Sequence, residues 1–108
     1  MNDAPPESAP DITVVVVNYN SAAFIDEFCI SMRAVTYPSW HLVVVDSGSG
    51  DGSMDVIERA FPDATHVRCG ENVGFAAGAN IGIEKCLERG VEYVLFLNND
   101  ATVTPGFL

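Results

Sequence analysis

Apolar positions along this chain come in two alternating rhythms. Ile12 to Val17 is an unbroken, β-branched run, which predicts a strand covered on both faces in a parallel sheet rather than a half-wet edge strand. Phe24, Ile25, Phe28, Cys29 and Met32 then recur at three- and four-residue steps, with Asp26 and Glu27 on the outer face. That spacing predicts an amphipathic helix with Ser21 as its N-cap. Pro38 breaks the chain, and His41 to Val45 repeats the strand pattern before ending at Asp46. The cycle continues with a Ser/Gly/Asp turn from Ser47 to Gly52, a short helix from Ser53 to about Ala60, and a brief strand around Thr65 to Arg68. A third helix is expected from about Phe75 to Arg89, with Ala79, Ile83, Cys86 and Leu87 on one face and Gly90 as its stop. Tyr93 to Leu97 reads as a fourth, buried strand.

Strands alternating with helical segments define an α/β fold, a mostly parallel sheet flanked by helices, because right-handed crossovers place helices on the sheet faces. The loops after strands one, two and four then gather at the carboxyl edge, where open α/β sheets bind ligands. Residues 1–11 carry Pro5, Pro6 and Pro10 among small and acidic residues and are expected to be a flexible tail.

Charge narrows the chemistry. Five Lys+Arg against fifteen Asp+Glu give a formal net charge of −10, which repels a phosphate polymer and excludes nucleic-acid binding through a basic patch. A phosphorylated small molecule would need backbone N–H groups or a bound cation to offset that charge. No apolar run approaches the roughly 20 residues of a membrane span, and the N-terminus lacks the form of a signal peptide. The expected address is the cytoplasm. Cys29, Cys69 and Cys86 show no paired spacing and are expected to be free thiols, mostly buried.

Four polar or glycine-rich segments are expected at the carboxyl edge: Asn18-Tyr19-Asn20, Asp46 through Ser53, Asn72 through Asn80, and Asn98-Asn99-Asp100. Asp46, ending a run of valines, can accept an N–H from a base edge such as uracil or bond the N–H groups of its own turn. Gly74, Gly78 and Gly82 allow close approach of the backbone to a ligand or to a neighbouring element, and the helix start at Phe75 to Gly78 offers N–H groups to an anion. Asp100, just past a strand, can hold a hard cation, Mg²⁺ or Mn²⁺, whose other ligands are diphosphate oxygens.

Val14 to Ser21, Val43 to Ser53, Glu71 to Asn80 and Phe96 to Asp100 resemble, in order, the successive motifs of family 2 glycosyltransferases, with the style of the bacterial rhamnosyltransferase-like branch. The resemblance implies a Rossmann-like GT-A nucleotide-sugar-binding half, a nucleotide-diphospho-sugar donor, a divalent metal, a glycan or lipid-linked acceptor and inversion at the anomeric carbon. By that resemblance Asn18, Tyr19 and Asn20 line the nucleoside site and Asp46 contacts the base. Gly74, Phe75, Gly78 and Asn80 border the ribose and sugar-phosphate, Asn99 joins the donor site, and Asp100 ligates the metal. Ser47 stands where the family usually has Asn, and Asn98 where it has the first carboxylate of an Asp-x-Asp signature.

The family's general base lies downstream of the metal motif, so the resemblance places it beyond Leu108. The expectation is therefore that residues 12–108 are the N-terminal part of a longer domain, with Thr104 to Leu108 opening its next helix. Attachment to the inner face of the membrane would come through regions outside this chain. The alternative is a nucleotide-binding module without catalysis. A dinucleotide-binding oxidoreductase fails at the first loop, where Asn-Tyr-Asn-Ser stands in place of Gly-x-Gly-x-x-Gly. A receiver-type signalling domain fails there too, for want of an acidic cluster.

Overall fold

The computed structural model describes residues 10–108. Four strands, β1 (Ile12–Asn18), β2 (Trp40–Asp46), β3 (Thr65–Arg68) and β4 (Tyr93–Phe96), form one parallel sheet in the order β3-β2-β1-β4. The crossovers are helices α1 (Ile25–Arg33), α2 (Ser53–Ala60) and α3 (Gly74–Arg89). The expected α/β architecture is thus present.

Strand alternation divides the core in two. Val14 and Val16 of β1 join Leu42 and Val44 of β2 beneath α1 and α2, where Ile25, Phe28, Met32, Met54 and Ile57 are buried. Val15, Val43 and Val45 point to the other face and pack with Cys86 of α3. The valine runs are continuous because both faces of β1 and β2 are covered.

α3 comes close to the sheet because it presents glycine there. A Cβ on Gly78 would stand 2.9 Å from Val17 Cγ1, and one on Gly82 would stand 2.5 Å from Val15 Cγ1. The sheet-facing stripe is therefore Gly78, Gly82 and Cys86, which corrects the expected face: Ile83 and Leu87 are exposed. Gly90 ends the helix in the left-handed conformation, as expected, with its N–H returned to Cys86 and Leu87 carbonyls.

Three other expectations are corrected. β4 is an edge strand with Tyr93, Val94 and Phe96 exposed, not a buried one. Its pairing with β1 ends at Phe96, although Leu97 N–H still reaches the Val15 carbonyl at 3.0 Å. Ser21 does not cap α1 with its side chain; its carbonyl accepts the N–H groups of Phe24 and Ile25, and its hydroxyl is used elsewhere. Thr104 to Phe107 forms a single turn, with Phe107 N–H on the Thr104 carbonyl at 3.0 Å.

Most of the expected tail lies outside the described residues. Its last two members are pinned: the Pro10 carbonyl accepts from Tyr37 Oη at 2.6 Å, and Asp11 N–H donates to Glu92 Oε1 at 3.1 Å. Among the described residues no helix is long and apolar enough to cross a membrane.

Candidate functional site

Parallel pairing sets the first row of the site. Asn18 is opposite Asp46, and Asp46 is opposite Arg68, so the last residues of β1, β2 and β3 form a line across the carboxyl edge. Asn18 continues the inward stripe of Val14 and Val16 and is fully buried. A buried amide must find partners, and this one has them in every neighbouring loop. Its Nδ2 faces Asp46 Oδ1 at 3.0 Å, Ser53 Oγ at 3.0 Å and Ser49 Oγ at 3.3 Å. Its Oδ1 accepts from the Ser21 hydroxyl and from Asn99 Nδ2.

Asp46 is buried as well. Its Oδ1 takes the Asn18 bond and its Oδ2 accepts Ser49 N–H at 3.1 Å. Of the two uses anticipated for Asp46, the bond to its own turn is the one present, and both carboxylate oxygens are engaged at the sheet edge. Ser47, also buried, ties this loop to the next one: its hydroxyl donates to Asn72 Oδ1 at 3.1 Å and accepts Val73 N–H at 2.8 Å. Asn72 Oδ1 also accepts Gly74 N–H at 2.9 Å. The start of α3 is therefore positioned from β2.

Gly48 makes that contact possible. Its φ of +75° is a left-handed conformation, and it lies against the Glu71–Asn72 backbone. Asn20 adopts φ +47°, donating its N–H to Ser49 Oγ at 2.9 Å and accepting Gly50 N–H through Oδ1 at 2.9 Å. Asn is the non-glycine residue best suited to that region.

The structure sorts the expected site residues. Tyr19 is half-exposed beside the loop, and Phe75 is exposed at the start of α3. Gly74, with φ +82°, opens that helix. Gly78 faces Val17, so its role is helix packing. Asn80 is exposed and, two residues from Gly78, points away from the sheet by the helical repeat. Asn18 stands behind the site rather than on its wall, since its side chain is wholly buried. Asn99 is buried against it, while Asp100 is exposed at the end of the fourth segment. Ser47, Ser49, Ser53 and Asn72 lie within the expected edge segments but were given no individual site role, and Ser21 was expected only as a helix cap. Period-two reading of β1 is the signal that finds their hub, because it points Asn18 inward.

Electrostatics leave the edge short of free positive charge. Helices antiparallel to the strands carry Arg33, Arg59 and Arg89 in their last turns, at the opposite end of the sheet. Among the described residues Arg68 alone lies at the carboxyl edge, and it is held by Asp55 at 2.7 Å and Glu58 at 2.7 Å. Those carboxylates raise its affinity for the proton further. The first turn of α3 carries no acidic residue; with Val73 and Gly74 N–H taken by Ser47 and Asn72, it is the N–H groups after Gly74 that an anion could meet. Among the described residues no three Asp, Glu, His or Cys side chains converge as a metal cage. Asp100 stands at that edge as a single exposed carboxylate.

A hollow of about 330 Å³ lies at the amino end of β2 between Trp40, His41, Phe61 and Ala64, far from this polar network. One of about 210 Å³ opens beside the second loop, bounded by Ser49, Gly50, Gly52 and Arg68.

Asp51 latches the second loop to the first. Its Oδ2 accepts Ala22 N–H at 2.9 Å and its Oδ1 accepts Ser53 N–H at 3.0 Å. The Ala22 bond, followed by those from Ser53, holds its carboxyl below the ordinary value of 3.8. A folded-state value below the unfolded one adds stability above the unfolded value, and that contribution is lost as pH falls through the folded value. Asp51→Asn is therefore expected to lower Tm at neutral pH, with the gap from the parent closing as pH falls below about 3.8. Thermal melts from pH 2 to pH 7 check this, and a gap constant across that range would count against the latch.

The sheet, its helices and the polar carboxyl edge define a GT-A, Rossmann-like fold. The chain superposes on the Staphylococcus aureus TarS 1-349 structure in complex with UDP-GlcNAc with a TM-score of 0.76, at 23% identity, covering 88% of this chain and 28% of that one. It also matches the mannosyltransferase PcManGT from Pyrobaculum calidifontis, in complex with GDP-Man and Mn²⁺, with a TM-score of 0.74, 31% identity, and coverage of 90% and 29%. Residues 13–108 match glycosyl transferase family 2, and the chain belongs to that family. Among curated relatives, a Bacillus subtilis protein named for teichuronic acid biosynthesis, glycosyltransferase TuaG, is 30% identical over 94 residues, 84% of this chain and 36% of that protein. The teichoic acid poly(glycerol phosphate) polymerase of Staphylococcus epidermidis is 28% identical over 93 residues, 82% and 12%. The chain thus spans about a third of the length of TuaG.

Proposed function

We propose that this chain forms the donor-binding half of a glycosyltransferase that moves a sugar from a nucleoside diphosphate to an acceptor hydroxyl, with inversion, in bacterial surface-polysaccharide synthesis in the cytoplasm. The observation that carries this is the joining of four loop segments at one sheet edge where, among the described residues, the only nearby cation is already neutralised by Asp55 and Glu58. The ligands in the structures of the fold neighbours, UDP-GlcNAc with TarS and GDP-Man with Mn²⁺ with PcManGT, are of this class.

In this reading the Asp46 carboxylate accepts a base N–H, Tyr19 flanks the nucleoside, and the start of α3 faces the sugar-phosphate with its free N–H groups. Asp100 would hold the divalent cation, which when bound stabilises charge on the departing diphosphate as a Lewis acid. An acceptor hydroxyl attacking from the side opposite the diphosphate inverts the anomeric centre. Its proton goes to a base supplied from outside these residues, so this chain by itself is expected to bind donor without turning it over.

Calorimetric titration of UDP, dTDP and GDP, with and without Mn²⁺, tests the proposal. At least one nucleotide is expected to bind more tightly with Mn²⁺, and Asp100→Ala is expected to weaken that binding by roughly tenfold to a hundredfold, the range seen when metal sites lose support. Binding indifferent both to Mn²⁺ and to Asp100 would overturn the metal assignment. A folded chain that binds no nucleotide would overturn donor binding by this half alone.

A further inference from the structure

We infer that Asn18 is a positioning residue that couples the two ends of the donor site, a role that rests on the donor-site reading above. Asp46 serves the base end in that reading, and the Asn99-Asp100 segment serves the metal and diphosphate end. β1 lies between the strands that precede them, β2 and β4. The link across β1 is the Asn18 side chain, whose Nδ2 holds Asp46 Oδ1 and whose Oδ1 holds Asn99 Nδ2. An amide suits this place because it offers donors on one atom and an acceptor on the other. Aspartate would set a second carboxylate against Asp46, and leucine of the same size would leave both neighbours unpaired.

The coupling extends into the loops. Ser49 Oγ receives both Asn18 Nδ2 and Asn20 N–H, so the αL turn at Asn20 is fixed by the same hub. Ser53 Oγ receives Asn18 Nδ2 at 3.0 Å and Ser21 N–H at 3.4 Å, joining the first turn of α2 to the end of β1. With its side chain fully buried, Asn18 acts on a ligand only through its partners Asp46, Ser21, Ser49, Ser53 and Asn99.

Two partial ligands separate this role from its alternatives: uridine, which engages only the base end, and inorganic pyrophosphate with Mn²⁺, which engages only the other. Asn18→Ala, in folded protein assayed well below its melting temperature, is expected to weaken both by about tenfold, since one buried amide secures both ends. Asn99→Ala keeps the test open should Asn18→Ala fail to fold; it is expected to weaken pyrophosphate binding and, through the hub, uridine binding too. On the pyrophosphate probe the double variant is expected to be no weaker than Asn18→Ala alone, because residues in one network are not additive.

Unchanged affinities for both probes in folded Asn18→Ala would reduce Asn18 to a fold-stabilising residue and overturn the inference. Loss of uridine binding alone would mean that Asn18 contacts the nucleoside, and would overturn it too. If the parent chain binds neither probe, the donor-site reading fails separately. Hydrogen exchange in the ligand-free chain then decides the coupling: Asn99→Ala is expected to speed exchange at the Ser49 amide across β1, and an unchanged rate there would refute the link.

Discussion

Gly48→Ala is expected to be among the most damaging single-methyl substitutions in the described residues, lowering stability by about 2–5 kcal/mol. Two costs add. The left-handed φ of +75° penalises any side chain by about 1–2 kcal/mol. The new Cβ would then stand 2.5 Å from the Glu71 carbonyl carbon and 2.7 Å from Asn72 N, which forces backbone apart at an overpacking cost of about 1–3 kcal/mol. Those atoms belong to the turn that Ser47 ties to the start of α3, so the strain falls on the anion-facing helix end. Gly52→Ala is the control: its φ is +83° but nothing lies within 4 Å of the added Cβ. Only the conformational cost applies there, and its melting temperature is expected to fall by less than half as much. At about 4–8 °C per kcal/mol for a domain of this size, thermal unfolding followed by circular dichroism resolves the two. Equal shifts would show that the contact with Glu71 and Asn72 has no energetic weight.

Contrast between Gly48 and Gly78 shows what the sequence could and could not disclose. Both are glycines beside motif segments. The four-residue spacing of Gly74, Gly78 and Gly82 was compatible with approach to a ligand or to the sheet. Only the position of Val17, 2.9 Å from a Cβ on Gly78, resolves it in favour of the sheet. Local periodicity was enough to place β1, β2, α2 and the Gly90 stop, because runs of valine and a left-handed cap carry their own signals. It misjudged the buried face of α3, since glycine hides the stripe that a hydrophobic pattern would mark, while Ile83 and Leu87 mimic it on the exposed side. The burial of β4 was overestimated for a related reason. Four apolar residues describe a strand but not its neighbours, and edge position depends on the strand order β3-β2-β1-β4. At the site, residue types at the carboxyl edge were legible, whereas their division into wall and support was not. Asn18 and Asn20 are the same residue two positions apart, yet one is buried at the hub and the other is exposed in an αL turn.

Asp46→Asn is expected to weaken UDP binding by roughly tenfold to a hundredfold while sparing Mn²⁺-pyrophosphate, the loss of one hydrogen bond to a charged group being worth about 1.5–3 kcal/mol. The substitution keeps size and retains one oxygen able to accept from Asn18 Nδ2, so the Asn18–Asn99 arm stays in place. Its new amide group must then meet the Ser49 N–H that now donates to Oδ2 at 3.1 Å. Two donors face each other, at a stability cost of about 1–3 kcal/mol for an unsatisfied buried group. Asp46→Ala removes both acceptors, strands Asn18 Nδ2 and Ser49 N–H together, and is expected to cost more stability than the asparagine variant. It is also expected to loosen pyrophosphate as well as UDP, because the hub loses its anchor on β2. Comparing the two variants by thermal melts and by calorimetry with both ligands separates base contact from loop support. Were folded Asp46→Asn to bind UDP as tightly as the parent, the carboxylate would serve only to shape the turn. The base would then have to be read by another group at that edge, with the half-exposed Tyr19 ring of the first loop a candidate.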